Sequence, residues 1–317
     1  MTYQKNEHWK STNGLLINEL KIKLKQSDVT LVLGSGVSRS AGLPDWKGLL
    51  EKLVQSQGDD ECPNNRDFEK LYDSLSHSSI RMASYIEQLH FKDDSKAMIR
   101  RMREILYEKG TDLQSPLTRQ ICSLIEKYNQ QVRSVITYNY DNLIERGLDN
   151  LGLEYLTVYQ NNRQDDRHKL PIYHVHGHIA PNNSEMENVS DIVFTESSYH
   201  EKYTNVYHWS SVEQLHAFER NTCLFIGLSM DDPNMRRLLE IASRNAEELY
   251  HYAILLRPKE NKQSGVGCAD DITIRERLLQ SFGINIIWYE DETHEEVVDI
   301  LHGLCTDINE EIILDKE

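Results

Sequence analysis

Apolar positions along the chain fall into short runs separated by longer amphipathic stretches. Residues 12–26 spread Leu15, Leu16, Leu20, Ile22 and Leu24 among polar neighbours, which predicts an opening helix. Residues 29–33 read VTLVL and stop at Gly34, the pattern of a buried strand. Residues 40–53 return to a helical pattern around a turn at Pro44-Asp45, and 58–66 read as a loop. Residues 67–130 then carry Leu71, Leu75, Ile80, Met82, Tyr85, Ile86 and Leu89 in a helical rhythm, and Pro116 suits the first turn of a further helix. This stretch, about 55–130, is too long for a simple crossover and predicts a helical insertion within a single domain spanning 1–317. Strand-like runs resume at 134–137, 155–158, 172–176, 192–194, 223–227, 253–256 and 284–288. Strands alternating with helices predict an α/β fold: a Rossmann-like, mostly parallel sheet with helices on both faces. Polar loops are expected at 180–190 and 259–270, and the acidic segment 306–317 is expected to fray.

Composition narrows the function classes. A net charge of −16 repels phosphate backbones, so no direct nucleic-acid partner is expected. The five cysteines, Cys62, Cys122, Cys223, Cys268 and Cys305, are scattered and form no C-x-x-C pair. That argues against a zinc ribbon or a disulfide framework and fits a reduced, cytoplasmic setting. The amino terminus lacks a signal-peptide core, and no run is apolar enough to span a membrane.

Four segments carry candidate chemistry. The first, residues 34–46, runs GSGVSRSAGLPDW and follows the first strand. Glycines between a strand and a helix let backbone approach a diphosphate, with free amides at the helix start. The second is Thr137-Tyr138-Asn139-Tyr140-Asp141, directly after a strand; taken alone, Asn139 and Asp141 could simply cap the next helix. The third is Tyr173-His174-Val175-His176-Gly177-His178. Strand alternation puts His174 and His176 on one face, and either suits proton transfer near neutral pH. Three histidines at this spacing could instead ligate zinc, although no cysteine or carboxylate signature supports a metal. His178 reads as peripheral. The fourth is Gly227-Leu228-Ser229, followed by Met230-Asp231-Asp232-Pro233; a turn capped by Ser229 or Asp232 is its plain structural reading.

Together these segments resemble the sirtuin family in content and order. The first is similar to the sirtuin glycine signature, which implies NAD binding at Gly34, Ser35, Gly36, Ser38, Ala41, Asp45 and Trp46. The second resembles the sirtuin T-x-N-x-D motif, implying that Asn139 holds a water at the nicotinamide ribose and Asp141 contacts the carboxamide. The third resembles the catalytic His-Gly motif and selects His176. The fourth resembles G-x-S, placing Gly227 and Ser229 near the adenosine half of NAD.

The departures matter equally. Protein-deacylating sirtuins carry a four-cysteine zinc ribbon between the His-Gly and G-x-S motifs, whereas only Cys223 lies in that interval here. No zinc is therefore expected, and deacylation is the weakest expectation. Lys47 stands where sirtuins usually place arginine, exchanging a rigid fork for a flexible ammonium. The resemblance points to bacterial anti-phage defence domains, which implies an NAD+ hydrolase giving nicotinamide and ADP-ribose. It also implies a homo-oligomer, or a second defence protein such as a HerA-type ATPase. A non-catalytic NAD or ADP-ribose sensor gating a partner is the alternative, although a pure sensor needs neither Asn139 nor His176.

Overall fold

The computed structural model describes residues 8–55, 65–92, 94–108, 114–160, 168–182, 192–205, 207–245, 251–258 and 268–306. Among these residues seven strands form one sheet: β1 (Val29–Leu33), β2 (Val132–Thr137), β3 (Tyr155–Val158), β4 (Leu170–His174), β5 (Thr222–Ile226), β6 (His251–Leu256) and β7 (Ile284–Tyr289). Their order is β3-β4-β2-β1-β5-β6-β7, and every pairing is parallel. The chain starts at the centre with β1, builds outward on one side, then returns to lay β5 against the other side of β1. The order therefore reverses between β1 and β5, where sheets of this class open a crevice at the strands' carboxyl ends.

The helices are α1 (His8–Gln26), α2 (Ser35–Ser40), α3 (Trp46–Gln55), α4 (Asn65–Ser74), α5 (Ser79–His90), α6 (Ser95–Leu106), α7 (Pro116–Lys127), α8 (Leu143–Leu151), α9 (Glu196–Thr204), α10 (Trp209–Arg220), α11 (Pro233–Asn245), α12 (Cys268–Gln280) and α13 (Glu295–Cys305). Strand alternation splits them between the two faces. Leu31, Leu33, Leu224, Ile226, Tyr252 and Ile254 pack with residues of α1, α7, α8 and α13. Val32, Phe225, Ala253 and Trp288 pack with Phe218 of α10, Met235 and Leu239 of α11, and Leu279 of α12. Each Leu, Ile, Val, Phe or Met among them, once fully buried, supplies about 1.5–3 kcal/mol of transfer free energy.

A third cluster sits apart from both faces. Leu50, Leu53, Phe68, Met82, Ile86, Ile99 and Met102 join α3, α4, α5 and α6, and Tyr140, Ile179, Ile192 and Phe194 complete it. Because Tyr140 and Ile179 follow β2 and β4, this helical layer covers the carboxyl edge of the sheet. Polar ties reinforce the contact: the Tyr107 hydroxyl donates to the Ile179 carbonyl at 2.7 Å, and Arg103 Nε donates to that of Ala180 at 2.9 Å.

Three expectations change. Helix α7 packs on the sheet through Leu117, Ile121, Leu124 and Ile125, so the separate helical layer is α3 to α6 and the stretch near 116–127 is not part of it. Residues 192–194 form no strand; their apolar character serves the helical layer, where Ile192 and Phe194 are buried. Strand β4 ends at His174, two residues earlier than expected. Of the expected loops, most of 58–66 together with 183–190 and 259–267 lies outside the described residues, as do 307–317 and Cys62. No helix among the described residues is long and apolar enough to cross a membrane.

Candidate active site

Four adjacent strands, β4, β2, β1 and β5, deliver the four sequence segments to one edge of the sheet. The ladder continues briefly past the strand ends: the amide of Gly34 donates to Ile226, that of Tyr138 to Leu33, and that of Val175 to Thr137. The segments are thus held side by side by backbone.

The glycine turn is shaped first by close packing against the turn after β5. A Cβ on Gly36 would lie 2.7 Å from the Gly227 Cα, and one on Gly34 would lie 2.6 Å from the Gly227 carbonyl oxygen. Gly227 itself has φ +68, and a Cβ there would meet the Val37 amide nitrogen at 2.7 Å. Contrary to a turn of free amides, Gly36 N–H donates to Gly227 and Val37 N–H to Gly34. Ser35 is exposed and Gly36 half-exposed, so ligand-facing surface begins there. Ala41 is buried with Leu43 and Leu143. Asp45 Oδ1 accepts the Gly48 amide at 2.9 Å and so caps α3.

Asn139 and Asp141 fasten the β2 end to that turn. Asn139 Nδ2 donates to the Gly34 carbonyl at 2.9 Å. Asp141 Oδ2 accepts from Ser38 Oγ at 2.6 Å, while Oδ1 accepts the Leu143 amide at 3.2 Å. Asp141 therefore does begin α8 while also tying it to α2; Asn142, the residue at the helix boundary, makes no side-chain cap. Burial raises the Asp141 pKa against the lowering effect of Ser38 and the Leu143 amide.

The two strand-end histidines part company. His176 lies beyond the strand, before a turn at Gly177 with φ +95, so period-two alternation no longer applies to it. His174 is fully buried: Nδ1 donates to the Asn139 carbonyl at 3.0 Å and Nε2 meets Glu145 Oε1 at 2.7 Å. Burial disfavours its cation, but the Glu145 charge and hydrogen bond outweigh this and raise its pKa. With both nitrogens occupied it is not a free base.

His176 sits in an aromatic box. Its ring stands edge-on to Tyr138 at 4.8 Å, Tyr199 at 5.3 Å and Trp46 at 6.3 Å. Trp46 stacks with Phe194 and Tyr199. His176 Nε2 faces Asp232 Oδ2 across 3.6 Å, and the Tyr199 hydroxyl donates to that same oxygen at 3.0 Å. Burial pushes the His176 pKa down to about 4, opposed by Asp232. The resting ring is therefore neutral and able to take a proton, with a carboxylate placed to steady the imidazolium that results.

Sequence reasoning read Asp232 only as a cap. It is one, with Oδ1 accepting the Met235 amide at 2.7 Å, and its second oxygen faces His176. Glu145 and Tyr199 had no local signal: their roles depend on which strand ends meet. His178, expected at the periphery, is instead half-buried, 4.6 Å from the His174 ring. Ser229 is exposed. An open cavity of about 680 Å³, lined by Ser78, Arg81, Glu196, Tyr199 and Pro233 among others, adjoins the box at Tyr199; its walls include neither the glycine turn nor Asn139.

Residues 133–287 match the family model described as a SIR2-like domain. That span contains Asn139, Asp141, His176, Gly227 and Ser229, whereas the glycine turn precedes it. The chain is 24% identical over 313 residues to an NAD(+) hydrolase ThsA of Enterococcus faecium, covering 92% of this chain and 58% of the relative. It is 22% identical over 245 residues to the NAD(+) hydrolase ThsA of Acinetobacter baumannii (strain 532279), covering 76% and 45%. The chain thus spans about half the length of these curated relatives. A solved structure, described as "Structural Basis for the Mechanism and Regulation of Sir2 Enzymes", aligns over 91% of this chain and 96% of its own with a TM-score of 0.44 and 13% identity. Residues 133–287, which match that model, contribute to every strand of the seven-stranded parallel sheet except β1.

Proposed function

We propose that this chain is an NAD+ glycohydrolase, cleaving the bond between nicotinamide and ribose to give nicotinamide and ADP-ribose. The observation that carries the reading is the buried His176 faced by Asp232 across 3.6 Å, just past the end of the strand next to the one that leads to Asn139. The diphosphate lies along the glycine turn from Gly34 to Ser38 and reaches Gly227 and Ser229. Asp141, already positioned by Ser38, accepts from the nicotinamide amide. Asn139 orients a water at the ribose C1′, and His176 accepts its proton as the C–O bond forms. Nicotinamide leaves neutral because the breaking bond returns its electron pair to a cationic ring nitrogen. The transition state is oxocarbenium-like, as in other glycosidic cleavage. Trp46, Tyr138 and Tyr199 keep bulk water from the ring and add no competing base.

Depletion of NAD in anti-phage defence is the biological output that the sirtuin-like resemblance suggests. Self-association, or control by a second protein such as a HerA-type ATPase, and a cytoplasmic location belong to the same reading. The test is chromatography of NAD incubated with the purified chain. Nicotinamide and linear ADP-ribose in equal amounts are expected, with Asn139→Ala reduced about 100-fold, on the scale of losing one positioned group. Unchanged NAD with measurable binding would instead make the protein a sensor.

A further inference from the structure

Behind the catalytic loop, Glu145, His174 and His178 bring three ligand atoms to within 4.8 Å of one another. None of the three belongs to the proposed cleavage chemistry. Glu145 and His174 are buried, and His178 is half-buried beside Tyr159, whose ring lies 5.6 Å away. We propose that this cluster is a site for a divalent transition-metal ion of the zinc type, held by two imidazoles and one carboxylate with a fourth position open.

Three observations support it. His178 Nε2 is buried without a hydrogen-bond partner. Buried polar atoms are rarely left unpaired, and an unpaired one marks a partner that is missing. His174 Nδ1 must carry hydrogen, because the Asn139 carbonyl it meets can only accept. Its Nε2 is thereby aimed at Glu145, the arrangement in which metal-bound histidines are oriented by a carbonyl behind them. Glu145 Oε1 is itself fixed by the Thr157 hydroxyl at 3.1 Å.

The ligand chemistry and spacing fit. Two histidines and one carboxylate form a ligand set used for zinc with an open position. Tetrahedral bonds of about 2.0–2.2 Å put ligand atoms about 3.3 Å apart. The His174–Glu145 contact, now 2.7 Å, opens by about 0.6 Å, and the widest separation closes by at most about 1.5 Å. The half-buried His178 ring is the side on which an ion enters. Once bound, the ion joins the end of β4 to α8 and, through His174, to the Asn139 carbonyl.

The whole purified chain, stripped with EDTA and dialysed, is titrated with Co(II) while the visible d–d bands of tetrahedral cobalt are followed. Metal content after zinc loading is measured in parallel by mass spectrometry. One ion per chain is expected, with affinity at least about 100-fold lower in Glu145→Gln and His178→Ala. His176→Ala, which leaves the three ligands in place, keeps wild-type affinity. A zinc-induced rise in melting temperature, present in the wild type and absent in His178→Ala, is the second expected sign. No ion at micromolar metal, or equal binding by His178→Ala, overturns the site. These readouts are independent of NAD turnover, so their failure leaves the hydrolase reading standing, and the reverse.

Discussion

Gly36→Ala tests whether the site is built on backbone contact between the turns after β1 and β5. The added methyl would lie 2.7 Å from the Gly227 Cα and 3.0 Å from its carbonyl oxygen. Carbon atoms prefer about 3.5–4.0 Å, so the shortfall is about 1 Å. Neither partner is a side chain that can rotate away. Overpacking of this kind costs about 1–3 kcal/mol, offset by about 0.4–1 kcal/mol from restricting the unfolded chain. A net loss of about 1–2 kcal/mol lowers the melting temperature by about 1.5–3 °C for a chain of this size. A shift of about 1 Å in the turn also moves the Gly34 carbonyl that holds Asn139, and misplacement on that scale can cost about 100-fold in rate. Gly42→Ala is the control: its φ is +82, but a Cβ there meets nothing within 4 Å. It carries only left-handed strain, about 1–2 kcal/mol, and should keep near wild-type turnover. The measurements are thermal melts and nicotinamide release for both variants. Equal melting temperature and equal turnover in Gly36→Ala and wild type would refute the packing argument.

Further predictions follow from the same contacts. Asp232→Asn retains the cap on the Met235 amide but removes the charge facing His176, so nicotinamide release should fall about 10-fold or more with the melting temperature nearly unchanged; a melt-neutral variant with full activity would remove Asp232 from the mechanism. His251 accepts the Cys223 amide at Nδ1, and burial holds its pKa down to about 4. The unfolded chain binds this proton near the ordinary value of 6.5 while the folded chain does not, so this stability is intact above pH 6.5 and declines as pH falls toward 4. His251→Gln, which cannot be protonated, should show a flatter loss of melting temperature between pH 7 and 5 than the wild type; parallel curves would count against it.

Much of the fold was legible because β1, β2, β4 and β5 are short, largely apolar runs that end at glycine, asparagine or histidine segments. Residues 29–33 and 222–226 are buried throughout, as a strand covered on both faces requires. The motif residues were legible for the same reason: they follow strand ends, and parallel strands bring their ends together. What could not be read depended on where a local pattern stops. Alternation predicted that His174 and His176 share a face, but the ladder ends at His174 and the Gly177 turn sends His176 to a different partner. Residues 192–194 look like a strand because they are apolar, yet they fill a helical core rather than a ladder position. The partnership of Glu145 with His174 joins positions 29 residues apart, and that of Asp232 with His176 joins a helix cap to a turn; neither spacing is encoded locally.

The most direct measurement is nicotinamide released from NAD by wild type and His176→Ala, with NAD binding to each recorded by calorimetry. The expected result is retained binding with release reduced by about 10²–10⁴-fold, the contribution of a positioned base. Equal rates in the two proteins, or intact NAD after incubation with a folded, NAD-binding wild type, would contradict glycosidic cleavage at His176.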